Sequence, residues 1–265
     1  MNIKSKNNFF INLAYNQAEI NLGSTLSNPS VGCIVVKNNS VISSGRTSLN
    51  GKPHAEANAL KKKINFKNSF MYSSLEPCSH YGKTPPCTKK IIEKKIQKVF
   101  YSTADVDVRS SNKAKKILNR NKIKVKKSLL LKKGKIFYES YFLQKKNSLP
   151  FIDAKLAMSN DYLTINKKKK WITNNASRKV GHLLRSRYNC IISTSKTINE
   201  DNSLLNCRIE GMEEKSPSVV IIDRFLKLKK NLKILKSNLK KIYIFTQVTD
   251  ETKKKFFKKK GVIFL

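Results

Sequence analysis

The stretch Pro53-His54-Ala55-Glu56 and the run Pro77-Cys78-Ser79-His80-Tyr81-Gly82-Lys83-Thr84-Pro85-Pro86-Cys87 hold the residue types that zinc chemistry needs. One imidazole, His54, and two thiolates, Cys78 and Cys87, make three ligands. They leave a fourth position open for water, the mark of a catalytic rather than a structural zinc. Glu56 stands two residues after His54, able to reach that water without coordinating the metal, which is the place of a proton shuttle. Hydrolysis of an amidine-like C–NH2 group is chemistry such a set performs. Pro77-Cys78 reads as a helix start, where backbone N–H groups and the dipole help to hold a thiolate. A second reading makes His80 a fourth ligand that closes a structural site. It sits between the two cysteines, however, and leaves Glu56 without a task. With only three histidines and five cysteines in the chain, chance is a poor account of His-x-Glu and Pro-Cys together.

The elements that must position these residues follow from periodicity. Residues 9–22 carry Phe9, Ile11, Leu13, Ala14, Ala18, Ile20 and Leu22 at spacings that suit one helix face. Asn28-Pro29-Ser30 is a turn, residues 31–36 an apolar strand, and Asn38-Asn39-Ser40 turns it into a hairpin with residues 41–44. Helices are expected over 54–63, 88–95, 111–120 and 129–145, and strands over 69–73, 98–102 and 123–125. Strands alternating with helices imply an α/β layer with mostly parallel strands. A second unit opens near Ser148-Leu149-Pro150. It reads as a strand over 151–157, a helix over 175–187 with Val180, Leu183 and Leu184 inward, and strands over 190–193, 219–222, 242–245 and 261–265. No internal repeat is present.

Length and composition bound the remaining classes. At 265 residues the chain suits two domains of ordinary size, each able to bury a core. No apolar run is long enough for a membrane span, and the N-terminus lacks a secretory h-region. Five cysteines form no disulfide framework. These features point to a cytoplasmic chain with reduced thiols. Cys33, Cys190, Cys207 and His182 carry no assigned chemistry. The net charge of +38 invites a nucleic-acid reading. Yet only Arg46, Arg109, Arg120, Arg178, Arg185, Arg187, Arg208 and Arg224 are arginines. The rest is lysine spread along the chain, whereas base readers and phosphate clamps favour arginine. Nucleic acid is therefore not the expected partner.

His-x-Glu followed by Pro-Cys is a known signature of zinc nucleobase deaminases. The editing enzymes hold two residues between their cysteines, but eight separate Cys78 from Cys87. With Asn28-Pro29-Ser30-Val31-Gly32 and Gly51-Lys52-Pro53, these residues closely resemble the bifunctional riboflavin-biosynthesis deaminase–reductase family. The resemblance implies zinc-dependent hydrolytic deamination of 2,5-diamino-6-(5-phosphoribosylamino)pyrimidin-4(3H)-one, followed by NADPH-dependent reduction of its ribose to ribityl. It implies an α/β protein, with a cytidine-deaminase-like α/β/α domain over 1–147 and a partial dihydrofolate-reductase-like α/β domain over 148–265. Residues 79–86 resemble the family's substrate loop, with Lys83 and Thr84 suited to a 5′-phosphate. Asn28 would hydrogen-bond substrate. Asn28 and Thr84 serve equally well as turn caps.

The resemblance continues in Lys155-Leu156-Ala157-Met158-Ser159-Asn160-Asp161, in Lys170-Trp171-Ile172-Thr173, and from Thr197 through Arg208. It implies that Ala157, Trp171, Thr197 and Asp201 line the NADP site, while Arg185, Leu204 and Arg208 face substrate. On its composition alone, Trp171 reads as core. Three positions depart from the family pattern: Tyr162 replaces a glycine, Ser203 a proline and Lys169 a small polar residue. The family also continues beyond residue 265 with its phosphate-cradling glycines, so a shortened, impaired reductase is expected. A homo-oligomer would cover the resulting sheet edge. The alternatives are a zinc deaminase acting on tRNA or nucleosides, and a basic RNA- or partner-binding relic without catalysis.

Overall fold

The computed structural model describes residues 3–82, 84–164, 171–237 and 241–265. The chain divides into two compact units, Met1–Asp153 and Ala154–Leu265. Among the described residues no helix is long and apolar enough to cross a membrane.

The first unit is built on a five-stranded sheet of order β2-β1-β3-β4-β5. β1 (Gly32–Lys37) and β2 (Ser40–Arg46) form the expected hairpin, and β1 also runs antiparallel to β3 (Phe70–Leu75). β4 (Lys98–Thr103) and β5 (Lys124–Lys126) then add in parallel. The β-branched run of β1 is buried on both faces because helices cover both sides of it. α1 (Ile3–Ile20) lies so close over β1 that a Cβ at Gly32 would stand 1.8 Å from the Ala14 carbonyl oxygen. On the opposite face, a Cβ at Gly45 would stand 2.3 Å from the Ala55 oxygen of α2 (Ala55–Ala59). Side chains alternate along a strand, so Cys33, Gly45 and Ser73, paired across three strands, all face α2. That layering, helix over sheet over helix, is the expected α/β/α arrangement.

Several boundaries differ from expectation for physical reasons. α2 ends at Ala59 because the chain turns at Leu60 and leaves Lys61, Lys62 and Lys63 exposed. The helix expected over 129–145 is two, α5 (Leu131–Phe137) and α6 (Glu139–Asn147), broken at Tyr138, whose ring is buried in the core. α3 (Cys87–Glu93) joins β3 to β4, and α4 (Ala114–Arg120) joins β4 to β5.

The second unit carries a wholly parallel sheet, β6 (Cys190–Thr194), β7 (Ser218–Ile222), β8 (Ile242–Phe245) and β9 (Ile263–Phe264), in chain order. α7 (Asn175–Arg187) precedes it, α8 (Ser195–Asp201) follows β6, and α9 (Glu251–Lys259) connects β8 to β9. The core gathers Ile198, Val219, Ile221, Ile244 and Phe257. Two expectations are corrected. Residues 151–157 form no strand; Ile152 and Leu156 stand exposed, and the four described strands of this sheet pair among themselves. On α7, Val180 and Leu184 are exposed rather than inward. α9 was hidden by its lysines, although Asp250 caps it by accepting from the Thr252 N–H and Phe257 is buried.

Candidate active site

The loops that leave the strands bring the three proposed ligands together. His54 immediately precedes α2, in extended conformation, and Glu56 lies in the first turn of that helix. Cys78 follows β3, and Cys87 is the first residue of α3. His54 Nδ1 lies 3.5 Å from Cys78 Sγ and 3.6 Å from Cys87 Sγ. Among the described residues these three form the one cluster fit for a metal, their ligand atoms all within 4.8 Å of one another. Bond lengths of about 2.0–2.1 Å to nitrogen and 2.3 Å to sulfur, at a tetrahedral angle, separate N from S by about 3.6 Å. The donor set and its spacing therefore fit zinc.

The expected helix start at Pro77-Cys78 is not there; the helix begins nine residues later, at Cys87. Its effect on Cys78 survives by a different route, because the Cys87 N–H donates to Cys78 Sγ at 3.2 Å. The hydrogen bond with the Cys87 thiol, then those from His54 and this N–H, pull the Cys78 thiol down to about 4 against the cost of burial. The same thiol–thiol bond, with burial, pushes Cys87 up. His54 is raised, chiefly by its bond to Cys78. The surroundings of Cys78 thus favour its thiolate, the form in which a cysteine ligates a metal.

Glu56 is almost fully buried on the sheet face that carries Ser73, whose Oγ donates to Glu56 Oε1 at 3.2 Å. Burial raises its carboxyl above the ordinary range, with the Cys78 charge adding to the effect. A carboxyl so placed holds and releases a proton nearer neutrality than an exposed one.

Three residues that support this site were not singled out from the sequence. Ser73 gave no signal beyond its strand. Buried Glu76 accepts from the backbone N–H groups of Asp105, Asn112 and Ala114, and so fixes the segment after β4. That segment carries buried Ser110, whose Oγ lies 2.6 Å from His80 Nδ1 and accepts from the Ser79 N–H. His80 is engaged there and stands outside the ligand cluster. A lone acid directly after an apolar strand was the available clue for Glu76; Ser110 had none.

The other expected residues are placed as follows. Asn28 Nδ2 donates to the Gly51 carbonyl, which holds Asn28 against the turn that leads to His54. Thr84 is exposed, its carbonyl accepting from the Gly82 N–H. Lys83 lies outside the described residues. In the second unit Arg185 Nη1 donates to the Asn206 carbonyl and Arg208 Nη1 to Asn206 Oδ1, so both guanidinium groups attend the segment that carries Leu204. Burial lowers the Arg185 pKa, and the nearby Arg208 charge adds to this. Thr197 and Asp201 share the exposed face of α8, one turn apart. Ala157 and Trp171 lie on the stretch before α7, and the Arg178 guanidinium stands 4.7 Å over the Trp171 ring. Trp171 is half exposed, not core.

Fold and site together define a zinc-dependent hydrolytic deaminase unit, joined to a second α/β unit. Residues 4–103 match the cytidine and deoxycytidylate deaminase zinc-binding region, and residues 150–264 match the RibD C-terminal domain. The riboflavin biosynthesis protein RibD of Aquifex aeolicus is 32% identical over 256 residues, covering 96% of this chain and 71% of that protein. RibD of Bacillus amyloliquefaciens is 31% identical over 250 residues, covering 93% and 67%. A deaminase/reductase structure from Thermotoga maritima superposes with a TM-score of 0.85 at 27% identity, covering 99% of this chain and 81% of that one. The chain belongs to the RibD family of riboflavin-biosynthesis deaminase–reductases. Zinc and NADPH are the cofactors of its two domains. The expected shortening of the second domain is not borne out, because the RibD C-terminal match runs over residues 150–264.

Proposed function

We propose that residues 1–147 deaminate 2,5-diamino-6-(5-phosphoribosylamino)pyrimidin-4(3H)-one and that residues 148–265 reduce the ribosyl chain of the product with NADPH. The observation that carries this reading is the tetrahedral spacing of His54, Cys78 and Cys87 beside buried Glu56. His54, Cys78 and Cys87 would hold zinc, which would supply Lewis acidity and lower the pKa of the attacking water. Glu56 accepts the proton of the attacking water and delivers it to the departing amine, so that C–NH2 and water give C=O and ammonia. Asn28, Lys83 and Thr84 hold the substrate in the first unit. Arg185, Leu204 and Arg208 bind the phosphorylated product in the second, where two neighbouring guanidinium groups suit a phosphate. Ala157, Trp171, Thr197 and Asp201 contact NADPH. The protein works in the cytoplasm on this small molecule, as a homo-oligomer.

Ammonia release and NADPH oxidation from the diaminopyrimidinone ribosyl phosphate, on zinc-quantified protein, test both halves. Both signals are expected, with ammonia release independent of NADPH. Ammonia without NADPH oxidation would retire the second half. No ammonia from zinc-loaded protein would retire the first.

A further inference from the structure

Among the described residues of the second unit, one buried carboxylate has no charged partner and an unusual set of donors. Asp223 follows β7 at its carboxyl end and is 2% exposed. Its Oδ1 accepts from Ser195 Oγ at 3.0 Å and from the Lys227 N–H at 2.9 Å; its Oδ2 accepts from the Leu228 N–H at 2.8 Å. Ser195 is the first residue of α8, so Asp223 ties that helix to the loop after β7. Asn199 repeats the tie one turn on: its Nδ2 donates to the Lys227 carbonyl and its Oδ1 accepts from the Lys229 N–H. Asn202 adds a third, accepting from the Lys233 N–H. Asp223 also joins the next strand, donating its N–H to the Phe245 carbonyl.

All four strands of this sheet are parallel, so their carboxyl ends share one edge. Ligands of open parallel sheets bind along that edge. α8 leaves the carboxyl end of β6 there. With Ile198 in the core and Asn199 on the loop, it turns Thr197 and Asp201 outward. A surface helix of seven residues is too short to hold its own position in water. Its orientation is set by what it is tied to, and the ties are these side chains.

We propose that Asp223, with Asn199 beside it, is a positioning residue for NADPH, which fixes the Thr197–Asp201 face of α8 at the carboxyl edge of the sheet. This rests on the reading of the second unit as the NADPH-binding half. Asp223→Asn sets an amide N–H2 against groups that donate, and Asn199→Ala removes two ties while leaving the carboxylate intact.

The test is NADPH affinity, followed by cofactor fluorescence on the full zinc-loaded chain, together with the unfolding midpoint and ammonia release. Asp223→Asn is expected to raise the NADPH Kd and KM about tenfold or more, the cost of one lost bond to a charged acceptor. Asn199→Ala is expected to shift both in the same direction by less. Ammonia release should be unchanged in both. A lowered midpoint with an unaltered NADPH Kd in the folded protein makes the residue merely structural and overturns the proposal. So does unaltered affinity in Asn199→Ala, should Asp223→Asn fail to fold. Wild-type protein that binds no NADPH overturns the reading of the second unit itself, and the proposal with it.

Discussion

Glu56 combines a place beside the metal cluster with nearly complete burial, and the two have separable consequences. Glu56→Gln keeps the shape and removes the proton carrier, so turnover should fall about 10²–10⁴-fold while zinc content stays at one per chain. Turnover close to wild type would remove Glu56 from the mechanism. Burial holds its folded pKa above the unfolded value, so the ionised form costs stability once pH rises through the folded pKa, and costs nothing below the unfolded one. With zinc chelated, Glu56→Gln should therefore unfold at a higher temperature than wild type near pH 8, and the gap should close toward pH 4. A gap that widens on acidification would contradict the sign. That His54, Cys78 and Cys87 come together, with Glu56 two residues after His54, was legible in the sequence, since residue identity and short spacing carry coordination chemistry. Ser73 and Ser110 were not, because their partners lie 17 residues or more away in sequence and are joined only by the sheet.

At the scale of elements, the site depends on how closely α2 approaches β2. A Cβ at Gly45 would stand 2.3 Å from the Ala55 oxygen and 2.4 Å from the Ala59 nitrogen, both backbone atoms that cannot turn aside. Gly45→Ala must therefore lift the helix that positions His54 and Glu56. A cost of about 1–3 kcal/mol in urea denaturation is expected from overpacking. A helix displaced by about 1 Å would lower kcat about 10²-fold. Gly181, inside α7, has nothing within 4 Å of its Cβ position; Gly181→Ala should be neutral or stabilise by about 0.5–1 kcal/mol. Equal effects of the two substitutions would show that α2 is not held by this contact. Strands with concentrated β-branched residues, such as β1, β7 and β8, were readable from pattern alone. Residues 151–157 hold a single β-branched residue, Ile152, and form no strand, since alternating apolar residues make a strand only where a neighbour completes it. The short helices α2 and α3 were placed to within a few residues, but not the turn by which α3 brings Cys87 to Cys78.

At the scale of the whole molecule, the charge is the feature that most invites a different function. Four ion pairs are found among the described residues, two of them within α9, and 17 acidic residues stand against 55 lysines and arginines, which leaves the net charge at +38. Such a surface attracts any polyanion by counterion release, with an affinity that falls steeply as salt rises. That attraction is delocalised over exposed lysines such as Lys61–Lys63, whereas Glu56 and Cys87 are buried. Bulk RNA is therefore expected to bind at low salt, with a steep negative slope of log K against log salt. At about 0.15 M, where the Debye length is about 8 Å, it should leave ammonia release unchanged. RNA that competes with the pyrimidine substrate at that salt, with a raised KM and unaltered kcat, would place the polyanion in the zinc site and restore the tRNA reading. Inhibition that lowers kcat alone, and vanishes as salt is raised, would mark attraction of the surface and leave the small-molecule assignment standing.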